Sequence, residues 1–366
     1  MIATINNKAS KSFEESLYFP RATTAIYAAL KSFSSSGKII IPSTICLDPI
    51  FASYYANYEV VFVGIKGFQL ELKKVIQILD DDPEINAILL PFLYGYPIEG
   101  LEEFWNQINS REILVIEDLA QTLGPSHFIG PQTRAKLVTI HSCGKSKIID
   151  SKRLGIASTL DTELHSAMKN LRPKDLLISE NGYKELDWQY VEFYKIFLRT
   201  VSYEENWQYF YQTVWNSDPR LFIPFLSTPI KSTFSHDIKH LQSPEYKIRK
   251  RRHTDILELF RDFQDAVLPV KSDSLRPIWR TTIRLPNSDR NQLYDYLNSN
   301  GLFASKWYRA MHRYVPSYLA ENSADLKSAE VFEEEVINFK IDKTMSEKTF
   351  INYRTAIRKW ILNRQS

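Results

Sequence analysis

The sequence predicts an α/β protein: a large domain built on a mostly parallel sheet, followed by a smaller C-terminal α+β domain. Three observations predict it. Short runs rich in β-branched residues alternate with helix-length segments through the first half. Each run is bounded by Gly, Pro or charge, as strands buried on both faces should be. After a stretch of aromatic, helix-like sequence, the last hundred residues alternate again.

In chain order, strands are expected at Lys38–Ile41, Val60–Val63, Ala87–Leu90, Ile113–Ile116 and Leu137–Ile140. Crossover helices are expected between them, at Thr23–Phe33, Pro49–Asn57, Leu70–Leu79 and Leu101–Ile108. Parallel strands need such connections. A helical insert follows, about residues 161–240, with a long aromatic helix from Asp187 to Phe210. This divides the chain into a large domain, 1–240, and a smaller one, 241–366. The smaller one should contain a strand at Trp279–Leu285, a helix at Arg290–Asn298, a strand at Val336–Ile341 and a helix at Glu347–Leu362. The basic run Lys247–His253 reads as the exposed face of a helix.

Composition narrows the function. Hydrophobic residues make up 44% and charged residues 24%, which excludes a disordered chain. Lys and Arg total 46 against 43 acidic residues, a balance that gives nucleic acid or an anionic membrane little to bind. The two cysteines, Cys46 and Cys143, suggest no disulfide framework and so a reducing compartment. The N-terminus lacks a basic start followed by an apolar run. The most apolar stretches, such as Ala87–Tyr96, fall well short of the ~20 residues a membrane span needs. A cytoplasmic protein without an integral membrane segment is expected.

In open α/β sheets ligands bind at the carboxyl ends of the strands. Four segments there could carry chemistry. Pro20–Leu30 places small residues and hydroxyls at a helix start, which suits phosphate or plain capping by Thr23 or Thr24. Glu117-Asp118 follows a strand, with Gln121 one turn on; the carboxylate could hold a cationic ligand atom or cap a helix. Ser142-Cys143-Gly144-Lys145-Ser146-Lys147 follows the strand ending at His141. A lysine there could serve as a Schiff-base amine or belong to a solvated basic loop. It is a poor phosphate loop, because Thr139 stands where a Walker motif has its first glycine. Pro91–Pro97 forms a turn. Groups of metal-ligand type are not evident, and no metal is expected.

Taken together, these segments resemble the DegT/DnrJ/StrS-type family of pyridoxal-phosphate-dependent sugar aminotransferases. Phe19–Ile26 is similar to the family's small-residue turn before its first core helix. Ile40–Thr44 resembles its "V-x-V-P-S" strand end, and Leu93-Tyr94-Gly95-Tyr96-Pro97 its "LYG-x-P" turn. Val115–Gln121 is close to its "VIEDAAQ", and Lys147–Gly155 aligns to its lysine segment. The resemblance implies an aspartate-aminotransferase-like fold (type I) with pyridoxal 5'-phosphate as cofactor. Asp118 would pair with the pyridine nitrogen and Gln121 would bond the ring hydroxyl region. Ser142, Ala22 and Thr23 would hold the phosphate. Lys147 would bond the cofactor aldehyde and shuttle the substrate proton, with Lys145 as the competing lysine.

This chain departs from that pattern at several places, one being that the family's Asn-containing strand after the lysine segment, which helps the neighbouring subunit's cofactor, is not identifiable in the helical insert. Ala22 replaces a glycine, Cys46 takes the place of an aromatic ring over the cofactor, and a glycine pair is reduced to Leu154-Gly155 behind Lys152 and Arg153. Trp307, Tyr308, Arg309, His312 and Arg313 form an aromatic, basic cluster that reads as substrate contacts or as a solvated helix. The resemblance further implies a homodimer, with the N-terminal segment packed on the smaller domain. The acceptor would be a nucleotide-linked keto-sugar and the donor glutamate or glutamine, for polysaccharide or secondary-metabolite synthesis. The departures motivate an alternative, a weak or inert homologue acting as a binding or regulatory subunit. A dehydratase is a third reading, against which Lys147 argues.

Overall fold

The computed structural model describes residues 16–124, 126, 134–144, 147–149, 154–200, 217–228, 230, 244–269, 277–317, 320–322 and 325–365. The strands of the large sheet are β1 (Leu17–Phe19), β2 (Gly37–Pro42), β3 (Tyr58–Val63), β4 (Ile85–Pro91), β5 (Leu114–Asp118), β6 (Lys136–Ser142) and β7 (Gly155–Ser158). The C-terminal part adds β8 (Thr281–Arg284), β9 (Ala304–Ser305), β10 (Ala320–Asn322) and β11 (Val336–Phe339). Helices in the first half are α1 (Ala22–Phe33), α2 (Leu47–Tyr55), α3 (Leu72–Asp81) and α4 (Leu101–Ile108). They are followed by α5 (Thr162–Asn170), α6 (Glu180–Thr200), α7 (Pro244–Leu259), α8 (Asn287–Ser299), α9 (Lys327–Glu335) and α10 (Glu347–Gln365).

Eight strands form one sheet in the order β1-β7-β6-β5-β4-β2-β3-β10. From β6 to β10 every pairing is parallel, and β7 runs antiparallel to both its neighbours. Alternate residues feed two different cores. Ile39, Ile41, Ala87, Leu89, Leu114 and Ile116 face the core that holds α1 and α2. Ile40, Ile88, Leu90 and Val115 face the core that holds α3 and α4. A sheet covered on both faces admits a polar side chain along its strands only with a partner, as where Thr139 of β6 donates to Glu117 of β5 at 3.0 Å. Polar groups therefore collect at the strand ends.

The five strands and four helices expected in the first half are all present. The sequence reading missed β1, β7 and β10, each only three or four residues long. The described part of the N-terminal segment is β1, which pairs with β7 in the large sheet and not with the smaller domain; residues 1–15 lie outside the described residues. In the insert, α6 begins earlier than expected and its described part ends at Thr200; the remainder of Asp187–Phe210 lies outside the described residues. β10 returns from the C-terminal region to pair with β3, in register from Ala320 against Val60 to Asn322 against Phe62. A third core joins β8, β11 and α10 to Leu93, Tyr94 and Tyr96 of the large domain.

The basic run Lys247–His253 corrects an expectation. Arg249 and Arg252 are each 2% exposed. Arg249 donates to the Trp279 carbonyl at 2.8 Å, and Arg252 to the carbonyls of Asp342 and Met345 at 2.7 and 3.0 Å. Burial also pulls the His253 imidazole down to about 4. Guanidinium groups present five donors in a fixed fork, so they can tie up loop carbonyls inside a core.

Gly155 is required by close approach. A Cβ there would lie 2.2 Å from the Arg21 carbonyl oxygen and 2.5 Å from the Ala22 nitrogen. The antiparallel strand β7 thus runs against the first residues of α1. Both obstacles are backbone and cannot swing away. Gly155→Ala is expected to cost about 1–3 kcal/mol through overpacking. A thermal melt of the variant checks this.

Candidate active site

The carboxyl ends of β2, β5 and β6 bring the candidate residues together. Asp118 is the last residue of β5 and is 8% exposed. Its Oδ1 accepts from the Ala120 N–H at 2.8 Å. Burial raises its pKa, opposed by the Ala120 bond and by the charge of Lys147, while Asp48 adds to the rise. Lys147 therefore stands within electrostatic reach of Asp118. Its Nζ lies 5.5 Å from the centroid of the Trp279 ring. Its own N–H bonds the Gly144 carbonyl at 3.1 Å, closing the turn that follows β6. Lys145, Lys152 and Arg153 lie outside the described residues, so the competition between the two lysines is not decided by geometry.

Cys46 precedes α2 and is the third member of this group. Burial pushes its thiol up, with Asp48 and Asp118 adding and Lys147 opposing. Tyr308 belongs to the same wall. Burial raises its hydroxyl well above the usual range, and the charges of Cys46 and Asp118 add to this. Gln121 is buried below, with both ends of its amide engaged: Oε1 accepts from the Tyr94 N–H at 2.5 Å, and Nε2 donates to the Tyr308 hydroxyl at 3.0 Å.

Tyr94 organises this floor. Its φ of 60° lies in the left-handed region, uncommon for a bulky residue. Four bonds hold it there. Besides Gln121, its carbonyl accepts from the Trp279 N–H at 2.9 Å. Its hydroxyl donates to the Trp307 carbonyl at 2.7 Å and accepts from the Tyr308 N–H at 3.1 Å. The sequence marked this segment only as a turn. Nothing in the residue types announced that the tyrosine would fasten two segments of the C-terminal part, at Trp279 and at Trp307–Tyr308.

The other end of the site is the start of α1. No side chain among the described residues caps it, so its first N–H groups and the helix dipole offer an anion site. Ala22 and Thr23 are its first two residues. Ser142 ends β6 opposite Gly155, which packs on Ala22, so Ser142 lies on the neighbouring strand. Sequence reasoning missed what surrounds this end. Thr23 Oγ1 donates to Asp48 at 2.9 Å, and so do the hydroxyls of Tyr190, at 2.7 Å, and Tyr194. Arg21 donates to Asp187 at 3.1 Å and lies 3.7 Å from the Tyr190 ring centroid. The available signal was the four-residue spacing of Tyr190 and Tyr194 on one helix.

These residues fit a ligand with a cationic aromatic ring at one end and a phosphate at the other. A buried carboxylate beside a lysine suits the ring, and an uncapped helix end suits the phosphate. The Asp48 contact alone runs against this fit. Among the described residues no group of His, Cys, Asp and Glu could hold a metal ion, and no helix is long and apolar enough to cross a membrane.

The aromatic, basic cluster is placed beside the β2 end by the bonds of the Met311 and His312 N–H groups to Ser43. Its charged members have protein partners. Glu333, 4% exposed, pairs with Arg309 at 2.7 Å and Arg313 at 3.6 Å. It also accepts from the Ala310 N–H at 3.1 Å and the Tyr314 hydroxyl at 2.6 Å. His312 Nδ1 bonds the Ser43 hydroxyl at 2.7 Å, and Nε2 faces Glu330 at 3.4 Å. These pairs account for both arginines without a substrate. His141, also weighed at the sequence level, bonds the Gly124 carbonyl at 3.0 Å.

Scanned against protein-family models and curated sequences, the chain finds no match. Solved structures do match it. DesV from S. venezuelae, in complex with a ketimine intermediate, superposes with a TM-score of 0.68 at 17% identity, over 98% of this chain and 89% of that one. The sugar aminotransferase CalS13 from Micromonospora echinospora gives 0.67 at 13% identity, over 98% and 91%. A DegT DnrJ EryC1 StrS aminotransferase from Brucella abortus gives 0.63 at 14% identity, over 98% and 90%. The chain has the fold of these aminotransferases along nearly its whole length, as the resemblance implied.

Two outcomes follow from the buried carboxylates. A raised Asp118 pKa means that the folded chain holds this proton after the unfolded chain has lost it, so stability falls as pH rises through that window. Asp118→Asn should therefore melt higher than wild type above the ordinary carboxylate range. The gain should vanish in acid, as a melting series across pH will show. Glu333→Ala, which strands two arginines, should cost about 3 kcal/mol or more, measured by denaturant unfolding.

Proposed function

We propose that the chain is a pyridoxal-phosphate-dependent aminotransferase that passes an amino group from glutamate or glutamine to a nucleotide-linked keto-sugar. The observation that carries this reading is the buried Asp118 under the charge of Lys147, at the carboxyl ends of adjacent strands. The family likeness of the structural matches supports it, and one of them is a sugar aminotransferase. The cofactor, when bound, supplies an electron sink for charge developing next to the amino nitrogen.

The residues divide the remaining work. Asp118 presents an anionic acceptor to the ring nitrogen and keeps a proton there. Lys147 would hold the cofactor's aldehyde end through Nζ and would carry a proton at that atom. Gln121, fixed by Tyr94 and Tyr308, supports the ring from below. Ala22, Thr23 and Ser142 hold the phosphate, and Cys46 makes an apolar contact in place of a stacked ring. Arg309, His312 and Arg313 brace the substrate side through Glu333, Glu330 and Ser43. We place the reaction in the cytoplasm, consistent with two free cysteines, and in a homodimer, in synthesis of an amino sugar for a polysaccharide or a secondary metabolite.

Borohydride reduction of protein mixed with pyridoxal phosphate should attach the cofactor mass to the peptide carrying Lys147. Lys147→Ala should abolish attachment at that peptide. Attachment to Lys145 instead, or none at all, would overturn the assignment. Asp118→Asn should slow conversion of the bound cofactor by glutamate about 10²-fold in single-turnover absorbance. The reading of an inert, binding homologue is favoured by one observation, the hold of Asp48 on Thr23.

A further inference from the structure

The start of α1 faces an anion that belongs to the protein. Asp48 lies in the first turn of α2, and its carboxylate accepts from three hydroxyls, those of Thr23, Tyr190 and Tyr194. They come from two other helices, α1 and α6. The tyrosines are held in turn: Arg21, buried and bonded to the Leu221 carbonyl at 2.6 Å, covers the Tyr190 ring. Asp48 also acts on the rest of the site, since its charge works against ionisation of both Asp118 and Cys46.

A phosphate monoester seated on the α1 N-terminus would share one of these donors, the Thr23 hydroxyl. It needs the Thr23 hydroxyl, which Asp48 already takes, and it brings negative charge up to a carboxylate at hydrogen-bond range. Like charges at that distance oppose each other strongly where water is partly excluded. A neutral side chain at position 48 would remove the repelling charge, and an amide oxygen there would accept from Thr23 more weakly than a carboxylate.

We infer that Asp48 competes with the cofactor's phosphate for the Thr23 hydroxyl and repels its charge, and so makes phosphorylated cofactor weakly held and readily exchanged. The inference rests on the pyridoxal phosphate reading for its ligand. It makes Asp48 a residue that sets cofactor affinity without touching the reacting atoms, and it gives Tyr190 and Tyr194 the task of holding the competitor in place.

The test compares full-length wild type with Asp48→Asn, and with Asp48→Ser should the first variant fail to fold. Binding of pyridoxal phosphate and of unphosphorylated pyridoxal is measured by absorbance titration. The variant should bind pyridoxal phosphate about tenfold more tightly, while pyridoxal affinity changes far less, because only the phosphate comes within hydrogen-bond range of position 48. Unchanged or weaker pyridoxal phosphate binding, or an equal gain for pyridoxal, overturns the inference. A second arm uses inorganic phosphate in thermal melts, where the variant should be stabilised more than wild type. That arm separates the two readings. Phosphate stabilisation without labelling of Lys147 keeps the role of Asp48 and removes the aminotransferase. Labelling of Lys147 with no gain for the variant in either arm does the reverse.

Discussion

Burial of the parallel sheet on both faces is the constraint on which the rest of the molecule depends. Successive residues of β2, β4 and β5 enter opposite cores, so no polar side chain can stand along the middle of these strands without losing its water. Charge is displaced to the carboxyl ends. There Asp118 is still nearly buried, and its carboxylate is tolerated because a backbone N–H and the charge of Lys147 offset the desolvation. The site is thus a product of how the sheet is packed, and its groups are those that the core would not admit.

A second constraint is backbone contact between elements distant in sequence. Gly155 lets an antiparallel strand pass against the first turn of α1, and Tyr94 accepts an unfavourable backbone angle because four hydrogen bonds hold it. Both positions lie beside the site. The strain at Tyr94 is matched by what it joins: the Gln121 amide just after β5, and the segments at Trp279 and Trp307–Tyr308.

The sequence made the large sheet legible because its central strands are runs of Ile, Leu and Val, each followed by a helix-length segment. Short strands such as β7 and β10 were not legible. Gly-Ile-Ala-Ser and Ala-Glu-Asn have no pattern of their own and become strands only by pairing with a neighbour already in place. The chemistry of Asp118 and Lys147 was visible through motif and position. The partners of Arg249 and Arg252 were not, since an arginine that binds carbonyls in a core has the same letter as one in water. Likewise Asp48 read as an ordinary acidic residue in a helix's first turn, and its three hydroxyl donors arrive from elsewhere in the chain.

The return of Ala320–Asn322 to the edge of the large sheet has a mechanical consequence. The ladder with Val60–Phe62 works as a rivet that fastens the C-terminal part to the edge of the large sheet, in addition to the chain connection through α7. A body attached at two separated points cannot swing freely about either. Any hinge motion of the C-terminal part would first have to break this three-residue ladder.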